Sequence, residues 1–205
     1  MSETRQVIRS RYCGLKDIYA AKIIQNTETA YVTDTPVKIA RAIKAKISEK
    51  WTSEKVYSDD TTEDIITSYE GTDVELEIST LAPQDRAFLF GQIYENGFLV
   101  KGADDIAPEI ALGFRTKRRN GKYEFSWLYS GKFGQGVDDE FSTIAGKIEA
   151  KSNTVKGEFV ERQLDGKYQI AVDESNLVDA DTDAKTAIKK WFEKVQEKDA
   201  QQTEG

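Results

Sequence analysis

Four clusters of polar side chains are spaced as if for chemistry. DADTDA, from Asp179 to Ala184, sets its carboxylates like the first half of a calcium loop. Ala184 stands where such a loop needs glycine and Lys190 where it needs a bidentate glutamate, so helix capping explains the acids better. SGKFGQGVD spaces Gly131 and Gly136 like a phosphate-cradling loop, yet Val137-Asp138 replaces the Lys-Ser/Thr pair that would meet phosphate and magnesium. Asp59, Asp60, Glu63 and Asp64 crowd one polar stretch where a divalent cation could bind, but a solvated acidic surface accounts for them more simply. Lys117, Arg118, Arg119 and Lys122 crowd a turn in the manner of a phosphate contact, though a polar hairpin tip needs no partner to explain it.

What is missing excludes more. The 205 residues contain no histidine and one cysteine, Cys13. Ser-His-Asp triads, Cys-His pairs, imidazole ligands, thiolate zinc sites and intrachain disulfides are therefore impossible. Catalysis would have to rest on carboxylates, lysine or tyrosine, which spacing alone does not identify. The reading is a protein that is not an enzyme, with no catalytic, cofactor-binding or metal site.

The 36 acids outnumber the 29 bases for a formal charge of -7, which argues against a general nucleic-acid binder, although a local basic face is compatible with it. Hydrophobic residues at 39% suffice for one sizeable core. The opening MSETRQVIRSRYCGL has no apolar run of signal length, and no segment approaches the ~18 apolar residues of a membrane span. We therefore expect a soluble chain without membrane contact, suited to a reducing cytoplasm. Residues 12–196 read as one domain between a flexible arm, 1–11, and a disordered tail, 197–205.

The elements that would position these groups are mostly strands. EIALGFRTKRRNGKYEFSWLYSGKF, from Glu109 to Phe133, is a hairpin in which Tyr123, Phe125, Trp127, Tyr129 and Phe133 share one parity and only Leu128 breaks the pattern. The spacing predicts one apolar face and a type I′ turn at Asn120-Gly121. Ile18 to Ile24 reads as a strand, and Val37 to Trp51 as one long strand with lysines on its second face. Ser53 to Gly71 reads as a long acidic loop. DVELEIS turns Val74, Leu76 and Ile78 inward and leaves Asp73, Glu75 and Glu77 as an anionic stripe. Pro83 to Gly91 reads as a short helix, with a loop at Asn96-Gly97 after it. Thr143 to Ala150 is expected as a strand, and Glu158 to Arg162 and Tyr168 to Val172 as two more joined at Asp165-Gly166. Ala184, Ala187, Ile188, Trp191, Phe192 and Val195 form the stripe of a closing amphipathic helix that Asp181, Thr182 and Asp183 would begin.

Four stretches taken in order resemble the major tail protein family of long-tailed phages of Gram-positive bacteria. They are GLKDIYAAKI at Gly14, SYEGTDVELEIS at Ser68, the 109–133 hairpin and the closing AKTAIKKWFEKV. The resemblance implies a phage tail tube fold, mainly β, with sandwich or barrel-like antiparallel sheets, a short internal helix and a C-terminal amphipathic helix. It implies a structural subunit assembled in the host cytoplasm into stacked, hexameric rings of the virion tail. Its partners would be its own copies and the tape measure, tail tip and terminator proteins, and genomic DNA would pass through without specific binding. On that reading long strand edges pair across subunits, and Asp73, Glu75 or Glu77 line the lumen and repel phosphate. Arg5, Arg9 and Arg11, with Asp59, Asp60, Glu63 and Asp64, would contact the next ring. The lysines of Val37 to Trp51 must face elsewhere or pair with the acids. The rival from another class is a monomeric β-sandwich module that binds carbohydrate or peptide through exposed aromatics.

Overall fold

The computed structural model describes residues 10–39, 41–58, 61–134, 136–139 and 152–198, the side chains of residues 57, 58 and 61–63 excepted. Its elements are β1 (Tyr12–Asn26), β2 (Tyr31–Thr33), β3 (Val37–Lys38), β4 (Ala42–Ser58), β5 (Thr61–Ile78), α1 (Pro83–Phe90), β6 (Ile93–Glu95), β7 (Phe98–Val100), β8 (Ile110–Arg118), β9 (Tyr123–Lys132), β10 (Val137–Asp139), β11 (Asn153–Val160), β12 (Gln169–Asp173) and α2 (Thr182–Lys189). Ten strands make one antiparallel sheet in the order β2-β1-β8-β9-β11-β5-β4, with β3 on β1, β10 on β11 and β12 on β9. β6 and β7 form a separate hairpin. The chain is mainly antiparallel β with two short helices, in a sandwich-like arrangement.

The ladder curls on itself. Ile18 and Ala20 of β1 share one core with Ala42, Ala45 and Ile47 of β4, although these strands lie far apart in the hydrogen-bonded order. Ile39 closes the gap by donating its N–H to the carbonyl of Ile18 at 3.0 Å. Leu81, Leu89 and Phe90 plug this inner core from α1 and its approach. Proline in the first turn of α1 and Gly91 at φ 71 bound that helix as its sequence predicts.

β9 buries both faces. Phe125, Trp127 and Tyr129 enter an outer core beneath the C-terminal segment, while Leu128 points into the inner one. The expected single apolar face is corrected, because the serines between the aromatics, Ser126 and Ser130, are also buried. The far edge of β9 is divided: β11 pairs at Ser130–Lys132 and β12 at Glu124–Leu128. The two strands joined through Asp165-Gly166 thus pair with β9 in succession and not with each other.

Other expectations need correction. The 109–133 hairpin turns through Arg119-Asn120-Gly121, with Gly121 N–H on the carbonyl of Arg118 and Arg118 N–H on that of Lys122. Only Gly121 has positive φ there, so this is a three-residue turn closed by a glycine bulge and not type I′. The positive-φ Asn-Gly pair occurs at Asn96-Gly97, where a loop was expected and β6 and β7 form a tight hairpin. The strand expected over Val37 to Trp51 is two: β3 pairs with β1, and β4 with β5. A bulge between Ala42 and Lys44 then turns Ile43 outward to 54% exposure.

α2 ends at Lys189, short of the expected stripe. Trp191 and Val195 are buried beyond it, because Gln196 donates its amide to the carbonyls of Lys190, Trp191 and Lys194 in place of a further helical turn. Trp127 donates its indole N–H to Trp191 O at 3.0 Å, and Tyr129 its hydroxyl to Gln196 O at 3.1 Å. Asp181 does not cap α2: its carboxylate accepts the N–H of Val178. Glu197, expected in a solvated tail, meets the buried guanidinium of Arg162 at 2.5 Å. That guanidinium stacks 4.2 Å from the Tyr129 ring and is gripped by both oxygens of Asp165, at 2.7 and 2.8 Å. The strand expected at Thr143 to Ala150 and the tail from Asp199 lie outside the described residues.

Two ion pairs give the fold an acid sensitivity. Hydrogen bonds from Arg162 hold the Asp165 carboxyl well below the usual carboxylate range, and Arg86, at 2.6 and 2.8 Å, does the same for Asp139. Carboxylates so depressed add stability that is complete above about pH 5 and is lost as pH falls through their folded values. Urea midpoints measured from pH 7 to pH 3 should fall for the native chain, and less steeply for Asp165→Asn and Asp139→Asn, which start lower. Packing makes a second prediction. Phe133 and Phe159 meet edge to face at 5.7 Å, and a Cβ on Gly131 would lie 2.3 Å from the Phe159 ring. Gly131→Ala should cost about 1–3 kcal/mol in chemical denaturation, whereas Gly134→Ala, with nothing within 4 Å, should not.

Candidate functional site

The stretch expected as a loop, Ser53 to Gly71, is strand almost throughout. β4 and β5 pair from Trp51↔Tyr69 to Ser58↔Thr61, with one register shift between Val56 and Tyr57 that skips Glu63. The alternation there is weak, but Val56, Ile65, Ile66 and a run of threonines favour extended backbone. β11 accompanies β5 only as far as Thr72. Past Gly71, among the described residues, β4 and β5 therefore continue as a hairpin paired only with itself. All described side chains of residues 51–56 and 64–68 are exposed, including Trp51 at 50%, Ile65 at 52% and Ile66 at 55%. Among the described residues no strand covers the outer edge of β4.

The base of this projection is fixed. Tyr69 stacks on Tyr168 at 4.2 Å, and Trp51 packs edge-on against Tyr69 at 5.3 Å. The Tyr69 hydroxyl lies 2.7 Å from Thr72 Oγ1. Gly71, at φ 147, lets the strand pass Phe159, whose carbonyl would stand 3.1 Å from a Cβ there.

Below the projection lies the acidic stripe. Asp73 and Glu75 are exposed and Glu77 partly so, while Val74, Leu76 and Ile78 are at most 3% exposed, as the alternation predicts. The stripe does not stand alone. Lys44 is opposite Glu77 and Lys46 opposite Glu75 on β4, and Lys156 is opposite Glu75 on β11. Lys50 bridges Asp73 at 2.7 Å and Glu158 at 3.3 Å. The lysines of β4 thus take the second course open to them and pair with the acids across strands. The result is a chequerboard of four lysines and four acids, Lys44, Lys46, Lys50 and Lys156 among Asp73, Glu75, Glu77 and Glu158. The part contributed by β11 was missed in the sequence, where the strand was placed five residues late; the alternation of NTVKGEFV carries the signal.

The remaining candidates separate. Asp64 is exposed on β5 and its carboxylate accepts the N–H of Ile65. Glu63 lies on the same strand. Arg5, Arg9, Asp59 and Asp60 lie outside the described residues. Arg11 is exposed, but its carbonyl accepts the N–H of Arg119 at 3.0 Å, so the arm is tied down at its base. Arg118 leaves the cationic cluster at the turn: 8% exposed, it meets Asp173 at 2.5 Å and Glu124 at 2.7 Å and lies 4.1 Å from the Tyr12 ring. Among the described residues no three acids or thiols converge as metal ligands.

Scanned against protein-family models and searched against curated proteins, the sequence matches none. Because among the described residues the projection pairs only with itself, replacing Thr52–Ser68 by Asn-Gly should leave the unfolding free energy of the body, from urea denaturation, within about 0.5 kcal/mol of the native value. A larger loss would mean that the projection is part of the folding unit.

Proposed function

We propose that the chain is a structural subunit of the phage tail tube, a major tail protein whose copies close into rings, hexameric by the resemblance, and stack. The observation that carries the reading is the projecting β4–β5 hairpin, long, with exposed apolar side chains among its polar ones on each face, Trp51 and Ile65 on one and Val56 and Ile66 on the other, and among the described residues without a partner on its own body. A monomer gains nothing from holding such a strand pair in water, and an open edge of this length invites association unless a neighbour covers it. Copies arranged head to tail around a closed ring cover it in every subunit.

The acidic stripe is our candidate for the lumen, in altered form. Interleaved lysines make the face nearly neutral, so DNA would neither be drawn to it nor strongly repelled. Passage then depends on the absence of a net basic field and not on a negative lining.

One observation favours the binding-module reading: Trp51, Tyr69 and Tyr168 form an aromatic cluster with Trp51 half exposed. Against it, Trp127, Tyr129, Phe125 and Trp191 are buried. Negative-stain microscopy with light scattering across a concentration series separates the two. Rings or tubes should form from the native chain and be abolished by the Thr52–Ser68 replacement. Assembly that survives the replacement, or a chain that stays monomeric throughout and binds oligosaccharide through Trp51, would count against the tube.

A further inference from the structure

We propose that Trp51, Tyr69 and Tyr168, with the carboxylates of Glu49 and Glu161, form a receptor for an arginine side chain presented by a basic partner protein. The rings meet at the base of the projection. Trp51 on β4 lies opposite Tyr69 on β5, and Tyr168 leads into β12. Tyr69 and Tyr168 stack at 4.2 Å, and Trp51 stands edge-on to both, at 5.3 and 6.4 Å. Trp51 keeps half its surface in water, so the ring type with the strongest pull on a cation is open to a visitor.

Negative charge surrounds the rings. Trp51 donates its indole N–H to Glu49 at 3.2 Å. Burial raises the Tyr69 and Tyr168 phenols above their ordinary value, and Glu49 beside both, with Glu161 beside Tyr69, pushes them further. The neighbouring cations are committed elsewhere: Lys50 bridges Asp73 and Glu158, and Lys167 meets Asp165 at 3.0 Å. Among the described residues no lysine or arginine stands over these three rings or forms an ion pair with Glu49 or Glu161.

Elsewhere the molecule shows what such a set holds. Arg118 lies 4.1 Å from the Tyr12 ring and meets Glu124 and Asp173. Arg162 lies 4.2 Å from the Tyr129 ring and meets Asp165 and Glu197. Arg115 lies 4.6 Å from the Tyr123 ring and meets Asp17 at 2.5 Å. In each case a guanidinium completes tyrosine and carboxylate, and at Trp51 the same groups stand without one. Chemistry selects the same ion. A guanidinium is flat and weakly hydrated, so it stacks on a ring while its fork of N–H donors reaches carboxylates, whereas an ammonium is compact and strongly hydrated. Each copy of this chain carries a formal charge of -7, so the complementary surface is that of a basic partner and not of a second copy. The contact is separate from ring closure, and it does not depend on the chain forming tubes.

The indole N–H resonance of Trp51, assigned by its loss in Trp51→Phe, tests the proposal in the full chain at low ionic strength. Titration with the peptide acetyl-Gly-Arg-Gly-amide should move it saturably, with a dissociation constant of about 1–10 mM. The lysine peptide should bind roughly tenfold more weakly, and the citrulline peptide, which keeps the shape and loses the charge, should not bind measurably. The double variant Glu49→Gln, Glu161→Gln should lose most of the affinity while its remaining amide resonances stay in place. A resonance that the arginine peptide leaves unmoved, or that the lysine peptide or a neutral oligosaccharide moves as strongly, would overturn the proposal. So would undiminished binding by the double variant. A resonance that shifts on dilution of the chain alone would overturn it too, since a second copy would then be supplying the arginine.

Discussion

β9 has to be buried on both sides at once, and the rest of the molecule is arranged to meet that demand. Its inner face needs a sheet that curls until β4 approaches β1, because only a curved wall encloses Leu128 together with Ile18 and Val74. Its outer face carries Phe125, Trp127 and Tyr129, which a flat solvated surface would not tolerate, so the chain returns after α2 to cover them. The aromatic groups also carry polar ends. Trp127 N–H and Tyr129 O–H find carbonyls in that returning segment, and Arg162 over the Tyr129 ring ties down Glu197. Burial of Tyr129 raises its phenol to about 12, which keeps it a donor throughout the physiological range.

This double burial explains what the sequence made legible and what it hid. Period-2 alternation recovered β5 in DVELEIS, β8 and much of β9, and proline with glycine bracketed α1, because each of those signals is local. Leu128 looked like a flaw in the pattern when it marks a second core, a fact decided by residues a hundred positions away. The glycine of Asn120-Gly121 suggested a two-residue turn, but register across β8 and β9 imposed three. α2 stopped early because Gln196 satisfies carbonyls that a longer helix would have used, a tertiary override of a sound amphipathic stripe. Ser53 to Gly71 read as a loop because acids are rare in strands, and only the pairing of β4 with β5 makes residues 53–58 and 61–71 extended.

The candidate surfaces follow the same division. The acidic residues of β5 were visible as a stripe, since alternation alone places Asp73, Glu75 and Glu77 on one face. Their neutralisation was visible only in part. The lysines of β4 could be counted beforehand, but Lys156 and Glu158 join the face through a strand order that no local pattern reveals. The proposed tube would give this face a use that fits its chemistry, since a surface of alternating sign would let a polyanion slide past while its own ion pairs preserve the strand register.

The self-pairing of the β4–β5 projection also bears on how the chain can diverge between generations. Removing or adding one residue on each strand at the tip shortens or lengthens it by about 3.4 Å and leaves every pairing below unchanged. A single residue gained on one strand is another matter, because it would reverse the facing of everything beyond it or require a new bulge to absorb it. Related chains should therefore differ in this region by even totals of inserted residues, and the bulge after Lys50, with Gly71 opposite, should mark the boundary beyond which such drift is tolerated.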